Sequence, residues 1–60
     1  MPSPVRFAVV KKLLEGKGYA LTDINGSHHI FKKPGAPPQS VPVHRGQVKH
    51  IYYKEAQQAP

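Results

Sequence analysis

Residues 25–33 read Asn-Gly-Ser-His-His-Ile-Phe-Lys-Lys, and this stretch decides the fold. Asn-Gly is a strong short-range signal for a β-hairpin, because both residues tolerate positive φ angles. It separates an alternating segment, about residues 19–24, from a second β-type segment, about residues 27–33. A proline-rich loop then leads to a third segment, about residues 39–44, whose Pro42 favours an edge position. The sequence therefore predicts three antiparallel strands.

Apolar residues on either side of these strands recur with helical spacing. Before the strands, one helical stripe contains Val5, Val9, Val10, Leu13 and Leu14. It predicts a helix over about residues 4–17, with Ser3 as its N-cap and with Gly16 and Gly18 as stop signals. After the strands, the apolar positions 48, 51 and 52 predict a second helix over about residues 46–56.

The element order α-β-β-β-α predicts an α+β fold in which both helices pack on one face of the sheet. The other face is then open to solvent. A chain of 60 residues is predicted to form one domain, residues 1–60. A domain of this size buries only roughly 60% of the surface that its unfolded chain exposes, which leaves no room for a deep cavity. We therefore expect the functional groups to lie on the surface, where a polymer fits better than a small metabolite.

The composition favours a polyanionic partner. Nine Lys and Arg residues against three acidic ones give a formal net charge of +6, which attracts nucleic acid, although the same charge also serves solubility. The absence of Cys excludes disulfides, thiolate chemistry and cysteine-based zinc sites. The longest fully apolar run, Phe7–Val10, is far too short to span a membrane. We expect a cytoplasmic protein that does not bind a membrane.

The strand register determines which sheet face each histidine occupies and which residue lies opposite it. In the register that we favour, Phe31 lies opposite Val41. His28 then lies opposite His44 on the open face, and His29 lies on the buried face. A slip by one residue would instead pair His29 with His44. In either case one imidazole faces another across two strands.

Two adjacent imidazoles suit acid–base chemistry on RNA, because one can accept a proton while the other donates one. The alternative is that they are merely polar residues at strand ends. We expect no metal or other cofactor, since His28 and His29 point to opposite faces and cannot easily share an ion. The candidate phosphate-binding residues are Lys32, Lys33, Arg45, Lys11, Lys12 and Lys49. For the lysines of the two helices, Lys17 included, a solvated face is the alternative.

Four stretches resemble the HicA-type toxins of bacterial toxin–antitoxin pairs: residues 10–19, residues 25–31, Pro34-Gly35 and Val41-Pro42-Val43-His44. The resemblance covers residues 5–56. It implies a fold like that of double-stranded-RNA-binding domains, and an endoribonuclease that cleaves mRNA and arrests translation. It also implies a HicB-type antitoxin that covers the active surface. The family's catalytic histidine falls on His28, with His29 as the one-residue alternative and His44 as a possible assistant. The main alternative function is a non-catalytic RNA-binding module. DNA is not expected to be a direct target.

Overall fold

The computed structural model of the protein describes residues 3–60, so Met1 and Pro2 lie outside the described residues. The elements in chain order are β1 (Val5–Arg6), α1 (Phe7–Gly16), β2 (Ala20–Asn25), β3 (His28–Lys32), β4 (Gln39–Pro42), β5 (Gln47–Val48) and α2 (His50–Gln58). Strands β2, β3 and β4 form an antiparallel sheet in that order. This confirms the predicted α+β fold class and the edge position of β4. Neither helix in residues 3–60 is long and apolar enough to cross a membrane.

The first helix begins later than the sequence predicts, because a short strand precedes it. Strand β1 pairs with β5, which holds Arg6 in an extended conformation (φ −63°, ψ 139°). The first helical amide, Phe7 N, donates to the Gly46 carbonyl oxygen at 2.8 Å. The predicted start near residue 4, with Ser3 as N-cap, is therefore wrong. A segment distant in sequence keeps this part of the chain extended, and no local pattern reveals such a partner.

The C-terminus of α1 follows its sequence signal. Gly18 adopts a left-handed conformation, with φ of +98°. Its amide donates to the Glu15 carbonyl oxygen, and the Tyr19 amide donates to the Leu14 carbonyl oxygen, both at 3.0 Å. These two bonds form a Schellman motif, which ends the helix and turns the chain into β2.

The core lies between the two helices and one face of the three-stranded sheet. Its buried members are Val10, Leu14, Tyr19, Phe31, Val41, Val48 and Ala56. Phe31 is fully buried, and its ring centroid lies 6.1 Å from that of Phe7. Val9, which the sequence assigns to the buried stripe of α1, is 46% exposed, because the stripe that packs on the sheet is centred on Val10 and Leu14.

The second helix covers His50–Gln58, so the prediction of about residues 46–56 is wrong at the N-terminus. Residues 47–48 pair with β1 instead. Val48 is fully buried, as predicted for an apolar stripe, but it is a strand residue. Ile51 is 60% exposed, and the helix packs through Ala56 instead. The helical spacing of positions 48, 51 and 52 therefore combines a residue of β5 with two residues of α2.

Lys17 fixes the C-terminus of α2. Its Nζ donates to the carbonyl oxygens of Ala56, Gln57 and Ala59, at 2.9, 2.6 and 2.7 Å. Carbonyl groups at a helix end lack partners within the helix, and the helix dipole makes this end attractive to a cation. Lys17 therefore joins the two helices and does not belong to a solvated face.

Candidate active site

The sheet face that the helices leave open carries His28. Phe31 points into the core. Because successive residues of a strand point to opposite faces, His28 and Lys32 point away from the helices, and both are exposed. Across the neighbouring strands, His28 lies opposite Asn25 and Pro42. The predicted split of the histidines between two faces is therefore present.

The hairpin turn that precedes His28 differs from the predicted one. Asn25 is the last residue of β2 and pairs with His28, so the two turn residues are Gly26 and Ser27. Gly26 has a φ of +57°, as the first central residue of a type II′ turn requires. The glycine thus permits the tight reversal that places His28 at the first position of β3.

A hydrogen bond holds the His28 ring. Its Nδ1 lies 3.2 Å from the Ser40 Oγ on β4. Ser40 lies opposite Ile30, so the contact runs diagonally across the two strands. The bond engages Nδ1, so Nε2 is the ring nitrogen that a substrate on the open face would meet. Ser40 was not among the residues singled out from the sequence, because its proximity to His28 depends on the strand register.

His29 has a packing role. Its ring centroid lies 4.6 Å from that of Phe7 on α1. Its Nδ1 lies 3.2 Å from the Ser27 carbonyl oxygen, and a carbonyl can only accept, so Nδ1 is the donor. The half-buried ring thus fills the space between the start of β3 and the first helix.

The predicted pairing of His28 with His44 is wrong. Phe31 lies opposite Gln39 and not opposite Val41, so the strands are shifted by two residues from the favoured register. His44 lies beyond the end of β4, where it forms an isolated bridge with Gln47. The alternative register, in which His29 faces His44, is also not present.

The period of the apolar pattern explains this error. An apolar residue at every second position determines which face of a strand is buried. It does not distinguish two registers that differ by two residues, because both bury the same side chains. His29 lies opposite Val41, so the faces are correct although the pairs are not.

The turn after β4 exposes His44 and Arg45 to solvent. The His44 and Gln47 backbones exchange two hydrogen bonds of 2.9 Å, which close a two-residue turn. Arg45 and Gly46 have φ of +53° and +75°, and positive values at both positions are typical of a type I′ turn. The Arg45 side chain is thereby presented to solvent.

The two adjacent lysines of β3 and the loop that follows it are not equivalent. Lys32 shares the open face with His28. Lys33 lies on the opposite side, with its Nζ 5.6 Å from the Tyr19 ring centroid and 3.0 Å from the Pro60 carbonyl oxygen. Of these two lysines, therefore, only Lys32 lies on the same sheet face as His28.

The remaining basic candidates do not lie on the three-stranded sheet. Lys11 forms an ion pair with Glu15 at 3.4 Å. Lys12 is exposed and, with Arg6 and Val9, borders an open groove of about 500 Å³ on the outer side of α1. Lys49 is exposed just before α2. Since α1 covers the sheet face opposite to His28, RNA bound at His28 would have to wrap round the domain to reach this groove.

Metal ligands do not converge in the part of the chain that the structure describes. Within residues 3–60, no three His, Asp or Glu side chains form a group that could hold a metal ion. His28 instead has the Ser40 hydroxyl as its hydrogen-bond partner.

The family model described as the HicA toxin of bacterial toxin–antitoxin systems matches residues 8–59. The chain belongs to the HicA toxin family. The match covers α2, the three-stranded sheet and nearly all of α1, so this protein is a toxin of a toxin–antitoxin system. No curated protein matches the sequence. Within the HicA match, residues 26–28 supply a glycine, a serine and the exposed histidine of the open sheet face.

Proposed function

We propose that this HicA-family toxin is a metal-independent endoribonuclease that cleaves mRNA and thereby arrests translation, with His28 as its general acid–base. The observation that carries the proposal is the exposed imidazole on the open sheet face, held through Nδ1 by Ser40. RNA provides its own nucleophile, the 2′-hydroxyl, so a positioned base is sufficient to start cleavage.

The proposed reaction follows from that geometry. His28 Nε2 takes the proton of a 2′-hydroxyl, and the 2′-oxygen forms a bond to the adjacent phosphorus. The P–O5′ bond breaks, and the 5′-oxygen takes a proton from water. The hydroxide so formed takes the proton that His28 holds, which restores the neutral ring. The products are a 2′,3′-cyclic phosphate and a 5′-hydroxyl. We assign no acid role to His44, because the strand pairing places it in the turn beyond β4.

Basic residues would hold the RNA backbone. Lys32 lies four residues along the strand from His28, about 13 Å away at 3.3 Å per residue. It would therefore contact a phosphate next to the scissile one and not the reacting group itself. Arg45 and Lys49 are exposed and would add further phosphate contacts, and the net charge of +6 would speed the capture of RNA. Lys33 is left out of the proposed surface because its ammonium lies over Tyr19.

A toxin that cleaves mRNA needs an antitoxin partner and access to mRNA. An antitoxin of the HicB type would cover His28 and block access of mRNA to the open face. An mRNA substrate and such a partner would both require a protein in the cytoplasm. The cation-rich surface would also attract an acidic protein partner.

The second candidate function is a non-catalytic RNA-binding module. It is favoured by the fact that, among residues 3–60, the strand pairing gives His28 no second histidine opposite it. A basic surface alone would bind RNA through its phosphates and its shape.

Incubation of the purified protein with labelled RNA in EDTA separates these functions. We expect cleavage that persists in EDTA and weakens as salt rises, because phosphate contacts are screened by counterions. Intact RNA with a salt-sensitive mobility shift would contradict catalysis and support the binding module. No salt-dependent affinity for RNA would contradict both and leave a surface that serves only a protein partner.

A further inference from the structure

The contact between His28 and Ser40 has a consequence for the state of the imidazole. Each neutral histidine carries a proton on only one ring nitrogen, and the partner of the other nitrogen decides which one. In free histidine the form with the proton on Nε2 predominates, and that form has no lone pair at Nε2 to accept a proton. A base at Nε2 therefore needs a group that stabilises the proton on Nδ1.

Ser40 is placed to be that group. Its Oγ lies 3.2 Å from His28 Nδ1, within the range of a hydrogen bond. A hydroxyl oxygen can accept from Nδ1–H in the neutral ring and also in the imidazolium that forms after proton transfer. One acceptor thus serves the ring before and after the transfer, and it fixes the direction in which Nε2 points.

The fold supplies this contact through two features of β4. The register of β3 and β4 puts Ser40 opposite Ile30 and Pro42 opposite His28. Pro42 lacks an N–H and is tolerated because β4 is an edge strand. The adjacent Val41 is buried in the core. The burial of Val41 therefore fixes the position of β4, and with it the position of the Ser40 backbone from which the hydroxyl extends.

We propose that Ser40 is the positioning residue of this toxin: it accepts a hydrogen bond from His28 Nδ1–H and keeps Nε2 free to take the proton of the RNA 2′-hydroxyl. This inference rests on the proposed function, and it adds a residue that the family match alone does not assign. Ser40 does not touch the reacting atoms, so its effect passes through the tautomer and orientation of His28.

Nitrogen-15 NMR of labelled histidine tests the contact without reference to activity. The spectra are recorded at a pH high enough for them to show a neutral His28 ring. We expect the Nδ1–H form to predominate in the wild-type protein and in Ser40→Thr, which keeps the hydroxyl. We expect the Nε2–H form to predominate in Ser40→Ala. A predominant Nε2–H form in the wild type would overturn the proposal.

Single-turnover cleavage of RNA tests the consequence. Ser40→Ala should cleave about tenfold more slowly than the wild type, which is the lower end of the loss seen when the hydrogen-bond partner of a metal-bound histidine is removed. Its affinity for RNA should be unchanged, and Ser40→Thr should restore the rate. The matched control is Thr22→Ala, which removes a hydroxyl from the other edge strand, where Thr22 Oγ1 donates to the Ile30 carbonyl oxygen. It should cleave like the wild type.

The outcomes of the two experiments separate the two proposals. Equal cleavage rates for Ser40→Ala and the wild type would overturn the role of Ser40 while leaving the endoribonuclease standing. If the wild type does not cleave RNA but shows the Nδ1–H form, the proposed function fails and Ser40 is only a structural partner of His28. A slower Ser40→Ala that binds RNA proportionally more weakly would also overturn a positioning role.

Discussion

Replacing His28 with alanine is expected to lower the rate of RNA cleavage by at least about 100-fold, the usual contribution of a positioned acid–base group. The imidazole is exposed and its contact is with the exposed Ser40, so the free energy of unfolding should change by no more than about 0.5 kcal/mol. Single-turnover cleavage in EDTA and thermal unfolding measure the two effects. The same substitution should abolish growth arrest when the protein is produced in cells.

Two other histidines serve as controls for this variant. His50 lies on α2, with its ring centroid 5.9 Å from that of Tyr53, and His50→Ala should cleave RNA like the wild type. His29→Ala should lower stability by about 1–2 kcal/mol, because it removes a half-buried ring from Phe7, but the folded fraction should still cleave. Cleavage by His28→Ala at the wild-type rate, together with an inactive but folded His29→Ala, would transfer the catalytic role to His29.

Replacing Phe31 with alanine is expected to unfold most of the protein. Phe31 is fully buried at the centre of the core, and loss of a buried phenylalanine typically costs about 3–5 kcal/mol. A chain of 60 residues has a total stability of only about 3–9 kcal/mol, at roughly 0.05–0.15 kcal/mol per residue. The loss is therefore comparable with the whole stability of the domain.

Circular dichroism with urea or heat measures this effect. The milder Phe31→Leu should remain folded with a lower midpoint, and it provides a variant whose loss can be quantified. Ile24→Ala is the matched control on the neighbouring strand, since Ile24 is 59% exposed, and its midpoint should stay close to that of the wild type. A midpoint for Phe31→Ala that equals the midpoint of Ile24→Ala would contradict the core described above.

The local signals in the sequence predict much of the fold. Gly18 ends α1 because only a residue that tolerates positive φ suits that position. The alternation of residues 28–31 correctly separates His28 from His29, since a strand has only two faces. These features depend on neighbours in sequence, so a pattern of period two or 3.6 is sufficient to reveal them.

The parts that the sequence does not predict depend on partners far along the chain. Because β1 pairs with β5, both helices begin later in the chain than predicted. Each of these strands has only two residues, which is too short for a recognisable alternation of apolar and polar residues. Lys17 lies at the end of α2 only because the two helices pack against each other. Ser40 lies near His28 only because the register of β3 and β4 differs by two residues from the predicted one. The apolar pattern cannot distinguish these two registers, since both bury the same side chains.

The chemistry of the cut ends tests most directly the central claim that the 2′-hydroxyl of RNA is the nucleophile and that no metal is needed. RNA is cleaved by the wild-type protein in EDTA, and the fragments are identified by mass spectrometry. We predict 2′,3′-cyclic phosphate and 5′-hydroxyl ends, and no cleavage of an oligonucleotide of the same sequence whose residues are all 2′-deoxy. Fragments with 3′-hydroxyl and 5′-phosphate ends, or cleavage of the 2′-deoxy oligonucleotide, would contradict the account, because water and not the 2′-hydroxyl would then be the nucleophile.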